Sequence, residues 1–334
     1  MRSASIQSLS FVGRPVTALP LALALFALIG GSAFAQDYPD RAVKIVVPFA
    51  AGGTADAVPR FVGDWLSRKW GQPVVIENRT GAAGNIGAEF AYNSAPDGYT
   101  LLSSPPPPLV INQNLYPKLG FDPAKFEPVI VMAHVPNALI VNPKNIPATS
   151  VPELIDHLRK NPDKVTAATQ GNGTTSHLTA ELFQVMAKVK LRAIPYRGSA
   201  PALQGLLGGD VDLMFDNLGV SLPLVEAGNL KLLAVASGRR LPSLPDMPTI
   251  AETLPGFEAV AWYAIMAPPG TPKNITDKIN ADVNEALRQP ELQDRLKKLS
   301  AEAFGGSVEK TANYMREEVE RWGKVIKAAD IKLQ

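Results

Sequence analysis

Apolar positions along the chain follow two rhythms, short unbroken runs and helical stripes, and the two alternate almost throughout. Val43, Ile45, Val46 and Val47, rich in β-branched residues and closed by Pro48, predict a buried strand. Val58, Phe61, Val62, Trp65 and Leu66 then fall on one face of a helix. Pro59 is harmless only in the first helical turn, which places the expected N-cap at Asp56. Between strand and helix, Ala51-Gly52-Gly53-Thr54-Ala55 exposes backbone N–H groups at the positive end of the helix dipole. Such a turn suits an anion. It lacks the Gly-Lys-Ser/Thr of a phosphate loop and the G-x-G-x-x-G of a dinucleotide site.

The same grammar continues. Strands are predicted at 73–77 and 99–103, with the glycine-rich Thr80-Gly81-Ala82-Ala83-Gly84-Asn85-Ile86-Gly87 opening a helix between them. Pro105-Pro106-Pro107-Pro108 is expected to be extended and stiff, as a connector or as one wall of a cleft. Residues 128–135 and 138–141 read as two strands broken by Pro136-Asn137. Ser150-Val151-Pro152-Glu153 reads as a capping box, and Ser307 as the N-cap of the last helix. Strands at 165–169, 191–194 and 211–215 each end in a small polar turn before a helix. Carboxyl ends of strands share an edge in α/β sheets, so these three turns should converge. Further strands are expected at 231–237 and 257–267, the latter carrying Trp262 and Tyr263, and the remainder is helical.

Composition narrows the function. Residues 1–35 have the form of a signal peptide: Arg2 and Arg14, an apolar core at 19–29, and Ala33-Phe34-Ala35 as an A-x-A cleavage site. Export to the periplasm is therefore expected. The chain has 33 Lys+Arg against 31 Asp+Glu, and the leader holds two of the cations, so the mature chain is neutral and nothing points to nucleic acid. There is no cysteine, which excludes disulfides, thiolate metal sites and a cysteine nucleophile. Roughly 300 mature residues favour two domains.

Catalysis has no visible foundation. His157 sits on a solvated helix beside Arg159 and Lys160, His134 in an apolar strand as a core or hinge residue, and His177 at a helix start without a triad partner. Ser307-Val308-Glu309-Lys310 matches S-x-x-K without the motifs that accompany it in serine hydrolases. No metal site or cofactor is predicted. Backbone N–H groups, Thr and Ser hydroxyls and the Arg197 guanidinium are instead donors suited to carboxylate oxygens.

Several stretches together resemble the Bug (TctC-like) proteins, the solute receptors of tripartite tricarboxylate transporters. They are Pro48-Phe49-Ala50-Ala51-Gly52-Gly53-Thr54-Ala55-Asp56, Glu77-Asn78-Arg79, Pro96-Asp97-Gly98-Tyr99, Gly171-Asn172-Gly173-Thr174, Pro195-Tyr196-Arg197-Gly198, Gly208-Gly209-Asp210 and Phe215-Asp216-Asn217. The resemblance implies an α/β, two-lobe type II periplasmic-binding-protein (Venus flytrap) architecture. One lobe would hold residues 36–136 and 258–334, the other 137–257. It implies a small carboxylate as ligand, bound by Phe49, Ala51, Gly52, Gly53, Thr54 and Asp56 on one side and by Gly173, Thr174, Thr175, Ser176, His177, Arg197, Gly198, Asp216 and Asn217 on the other. Ser104 stands in the turn after the third strand, where this chain carries prolines in place of glycine. The partners implied are integral membrane transporter subunits on other chains, with the receptor itself a monomer. A receptor feeding a signalling partner, and a periplasmic hydrolase or isomerase on the same scaffold, are the alternatives. Because prolines donate no hydrogen bond, the wall they form should be apolar, and with Phe49 and Trp262 nearby it predicts a carboxylate with an apolar, aromatic body.

Overall fold

The computed structural model describes residues 38–328 and 331, with positions 5, 7, 8, 10 and 13. The expected signal peptide, with its apolar core and cleavage site, otherwise lies outside the described residues. Contacts divide the chain into residues 1–40 and residues 41–334, and every element named here belongs to the second.

The strands are β1 (Val43–Val47), β2 (Val74–Asn78), β3 (Thr100–Ser104), β4 (Glu127–Val141), β5 (Thr166–Thr169), β6 (Arg192–Pro195), β7 (Leu213–Asn217), β8 (Lys231–Val235), β9 (Val260–Ala267) and β10 (Glu302–Ala303). The helices are α1 (Thr54–Trp70), α2 (Asn85–Tyr92), α3 (Val151–Lys160), α4 (Thr175–Ala187), α5 (Ser199–Gly208), α6 (Leu218–Glu226), α7 (Lys273–Leu287), α8 (Pro290–Lys298) and α9 (Val308–Ala328). The strands join in the order β2-β1-β3-β9-β4-β7-β5-β6, with β8 and β10 also paired to β4. Parallel pairs are β1 with β2 and β3, and β5 with β6 and β7.

Strand β4 organises this arrangement, and here the sequence reading is corrected. The expected break at Pro136-Asn137 is absent; one fifteen-residue strand runs through it. What changes there is the partner. Residues up to Pro136 pair with β9, whereas Asn137 to Val141 pair with β7 and Ala138 to Val141 also with β8. Proline lacks a ladder donor, but the next residue restores pairing, since Asn137 N donates to Ala259 O at 3.3 Å. Beyond that point alternate side chains enter separate cores. Leu139 and Val141 pack with Leu154, Phe183 and Phe215, while Ala138 and Ile140 pack with Leu203, Leu206 and Leu218. Both faces are covered by helices, which is why β4 reads as a continuous apolar run. A third core gathers Val46, Leu102, Val131, Trp262 and Trp322 beneath α9.

Three local expectations also change. The proline run is not extended: Pro106 is in the helical region (φ −49°, ψ −38°), and Pro107–Ile111 forms one wide helical turn, all of it buried. Prolines at a helix start sacrifice no hydrogen bond, because the first N–H groups have no helical acceptor in any case. Helix α1 begins at Thr54 with Gly53 as N-cap, three residues before the expected N-cap at Asp56. Pro59 therefore sits inside the helix. The capping box at Ser150 is half formed. Its hydroxyl accepts from Glu153 N at 3.4 Å, but the Glu153 carboxylate turns to Thr149 N instead. Ser307 caps α9 as expected, accepting from Lys310 N at 3.1 Å.

Candidate functional site

The β1–α1 turn faces the starts of α4, α5 and α6, and the three polar turns converge as their topology predicts. Together they line a narrow cavity. From one side come Phe49, Ala50, Gly53, Thr54 and Ala55, with Pro105 and Pro107. From the other come Gln170, Thr174, Thr175, Gly198, Ser199 and Asn217, and Tyr263 completes the lining.

The shift in helix start leaves the opening N–H groups of α1 without a side-chain cap, because Gly53 supplies none. Gly53 is extended (φ −96°, ψ 173°), and a Cβ built on it would lie 3.8 Å from Ser199 Cβ across the cavity. Thr54 is 1% exposed, yet its Oγ1 has no hydrogen-bond partner. The neighbouring Tyr263 hydroxyl gives its proton to Asn217 Oδ1 at 2.8 Å, so towards Thr54 it can act only as an acceptor and donates nothing to Oγ1. Burial, with Asp216 nearby, pushes the Tyr263 phenol well above its ordinary range, and it stays a neutral donor.

Other predicted residues support the cavity without lining it. Asp56 accepts from Arg60 Nη2 at 2.8 Å, Asn78 Nδ2 at 2.9 Å and Gly52 N at 3.2 Å. Burial pushes this carboxyl up, but the hydrogen bonds from Arg60, Asn78 and Gly52 outweigh it and hold it below its ordinary value. Its work is to fix the turn, helped by Asn78 Nδ2 donating to Phe49 O at 2.9 Å. Ala51 and Gly52 are exposed on the outer side of the turn, with Gly52 at φ +91°. Ser104 is buried and donates to Pro105 O at 2.9 Å, and Ser176 donates to Phe215 O. His177 Nδ1 accepts from Gly173 N at 3.1 Å, and burial lowers its pKa to about 4. It is thus a neutral brace for the turn holding Gly173 (φ +81°).

Asp216 is fully buried one layer behind the lining. It accepts from Ser199 Oγ at 2.7 Å and from Gln170 Nε2 at 2.5 Å, so it orients two lining side chains. Burial raises its pKa to about 6 against those hydrogen bonds. Arg197 is exposed and lines a second, larger cavity beside the first.

Two aromatic expectations resolve differently. Phe49 lines the cavity. Trp262 does not; its indole N–H donates to Glu318 Oε2 at 2.7 Å in the core under α9. Neighbours on a strand point to opposite faces, so if Trp262 is core then Tyr263 faces the cleft. That alternation was the signal available for Tyr263. Gln170 had no comparable signal beyond its place at the end of β5. Among the described residues no cluster of three or more His, Cys, Asp or Glu could hold a metal ion.

A cleft whose wall is built from strand ends and helix starts, with two sheet regions joined through one shared strand, defines the solute-binding class of type II periplasmic binding proteins. The family model described as "Tripartite tricarboxylate transporter family receptor" matches residues 58–331, and the chain belongs to that family of receptors. Solved relatives agree. The R. palustris protein Rpa4515 with adipate is 42% identical with a TM-score of 0.86, covering 89% of this chain and 100% of that one. The periplasmic binding protein BugD is 36% identical with a TM-score of 0.83 and the same coverage. MatC from Rhodopseudomonas palustris with bound malate is 35% identical with a TM-score of 0.80, covering 86% of this chain and 100% of that one.

Proposed function

We propose that this chain is a periplasmic receptor that captures a small dicarboxylate with an apolar body and presents it to integral membrane transporter subunits on other chains. Residues 1–35 are removed on export. The ligand lies between a lobe of residues 36–136 with 258–334 and a lobe of residues 137–257, the strand β4 serving as a crossing where its partners change. The observation that carries this reading is Thr54, a buried hydroxyl without a partner at the N-terminus of a seventeen-residue helix. An unmade hydrogen bond at such a site costs about 1–3 kcal/mol until a ligand supplies the acceptor. One carboxylate there, on Thr54 and the opening N–H groups of α1, answers both. From the facing turns Thr175 offers a hydroxyl, whereas the protons of Thr174 and Ser199 are already given to Gly171 O and Asp216 Oδ2.

The apolar body follows from the remaining lining. Phe49, Ala50, Ala55, Pro105 and Pro107 present no side-chain donor. A solute polar all round, such as citrate, would leave oxygens unpaired against this wall. The relatives solved with adipate and with malate support a carboxylate, and adipate has a wholly methylene interior.

A thermal-shift panel on residues 36–334 tests the reading. Adipate-, benzoate-, phthalate- and terephthalate-type acids are expected to raise Tm more than malate or citrate. Stabilisation by the hydroxylated acids alone would contradict the apolar body, and stabilisation by none of them would contradict the carboxylate.

A further inference from the structure

Helix α4 starts at the cavity and then divides its apolar side chains between two cores. Phe183 and Ala187 pack with Leu139 and Val141, in the half of the molecule to which α4 belongs by sequence. Leu178, one turn past the cavity-lining Thr174 and Thr175, is fully buried in the other core, beneath α9. Every other described residue of that core lies before Pro136 or after β9 begins, among them Leu109, Val110, Leu115 and Trp322. Gly173, just ahead of the helix, makes the same crossing. A Cβ on it would stand 3.2 Å from Leu115 Cδ1 and 3.3 Å from Asn112 Oδ1, so bare backbone rests on the segment that follows the wide proline turn. Asn112 is fully buried beside this contact. Its Nδ2 donates to Ala83 O at 3.1 Å and to Asn85 Oδ1 at 2.6 Å, whereas its Oδ1 has no partner. A bare acceptor at a seam between two parts of the chain marks a surface that is not always covered, because parting the seam gives the oxygen water.

We propose that Leu178 and Gly173 form an apolar seal that holds the cleft closed from outside the cavity, without contact to any ligand. The inference rests on the two-lobe reading above and adds what sets the balance between open and closed forms. Opening would carry the start of α4 away from residues 109–115 and expose Leu178 and Leu115, so apolar burial favours the closed form. The bare Asn112 oxygen opposes it and keeps the seal releasable. These contacts are made by the chain alone, so the seal acts on the free receptor as well as on the loaded one. Apparent affinity then carries the fraction of the receptor that is closed. Leu178 lines neither cavity beside the cleft, and is a positioning residue rather than a ligand contact.

Small-angle scattering and calorimetric titration with adipate test this on the wild type, Leu178→Ala, Leu115→Ala and Leu158→Ala. Leu115 is 8% exposed, which makes its variant the milder of the two seal variants. Leu158 is as buried as Leu178 but lies in the core behind Leu139, away from the seam, and its variant reports what loss of an ordinary core leucine does. Urea denaturation of each free protein confirms folding. Both seal variants should show a larger radius of gyration than the wild type when free, and a radius restored by saturating adipate. Their affinity for adipate should fall about tenfold, through faster dissociation. Leu158→Ala should lose stability while keeping the wild-type radius and affinity. Folded seal variants with the wild-type radius when free would overturn the seal, whether or not affinity changes. So would seal variants that match Leu158→Ala in every readout. Failure of adipate to bind the wild type would count against the ligand proposed above, and the radii of the free proteins would still decide the seal.

Discussion

Tyr263 on β9 donates its phenol proton to Asn217 Oδ1 on β7 at 2.8 Å, and both residues line the inner cavity. The bond begins a directed chain. Asn217 Nδ2 donates to Asn137 Oδ1 at 2.9 Å, Asn137 Nδ2 to Thr179 Oγ1 at 2.8 Å, and Thr179 Oγ1 to Thr175 O at 2.6 Å. The chain crosses β4 at the residue where its partners change, and it ends at a turn that lines the cavity. Tyr263→Phe removes the first donor and leaves Asn217 Oδ1 buried without it. Stability should fall by about 1–2 kcal/mol. Urea denaturation of the unliganded protein checks this, and an unchanged midpoint would show the chain to be slack.

Gly53 has backbone angles that any residue adopts, and its missing side chain faces Ser199. Gly53→Val should therefore fold with a Tm near that of the wild type. Its branched side chain would occupy the gap between the β1–α1 turn and the start of α5, and affinity for any carboxylate should drop at least a hundredfold. A folded variant with wild-type affinity would remove this turn from the site.

Asp216 gives the binding a pH dependence. With its folded pKa raised to about 6, it is ionised at pH 7.5 and places a negative charge behind Ser199 and Gln170. Protonation as pH falls towards 5.5 removes a charge that repels the bound anion, so affinity should rise across that interval. Asp216→Asn should bind more tightly at pH 7.5 and lose the slope. The same shift acts on stability: a raised carboxyl stabilises the fold fully below about pH 3.8, and that contribution is lost as pH rises through 6. His177 and His134, both lowered to about 4, run the other way, contributing above pH 6.5 and losing it as pH falls through 4. Two histidines against one carboxylate predict lower stability at pH 4.5 than at 7.5. A denaturation series that rises instead would contradict these assignments.

Glu318 on α9 is 3% exposed and accepts from two indoles, Trp262 Nε1 at 2.7 Å and Trp322 Nε1 at 2.9 Å, while Arg321 Nη1 donates to its second oxygen at 2.9 Å. Glu318→Ala strands two buried N–H donors and opens a gap between α9 and β9. A loss of about 2–4 kcal/mol is expected, with ligand affinity unchanged once the variant is folded. Equal stability would mean that the helix is held by apolar packing alone.

The order of strands and helices was legible because each period is short and local. The turns after β5, β6 and β7 could be placed at one edge from topology alone. What escaped the sequence depended on distant partners. Pro136 looked like a break, yet its neighbours across β4 restore pairing one residue on. The prolines after β3 looked extended because a residue before proline avoids the helical region, but the buried apolar face of Leu109, Val110 and Ile111 draws that stretch into a helical turn. Within the site, the sequence shows that the turns are polar and small, but not which of their residues line the cavity. Asp56 and His177 stand among the expected ligand contacts, and only the structure shows their bonds to Arg60, Asn78 and Gly173.

The central claim is that a carboxylate completes the hydrogen bond that Thr54 lacks. Calorimetric titration of the wild type and of Thr54→Val with the most stabilising acid of the panel tests it most directly, because valine keeps the shape and removes only the hydroxyl. The account predicts one acid per wild-type chain, and at least tenfold weaker binding to Thr54→Val at unchanged Tm. Equal affinity for the two proteins, or no binding by the wild type, would contradict it.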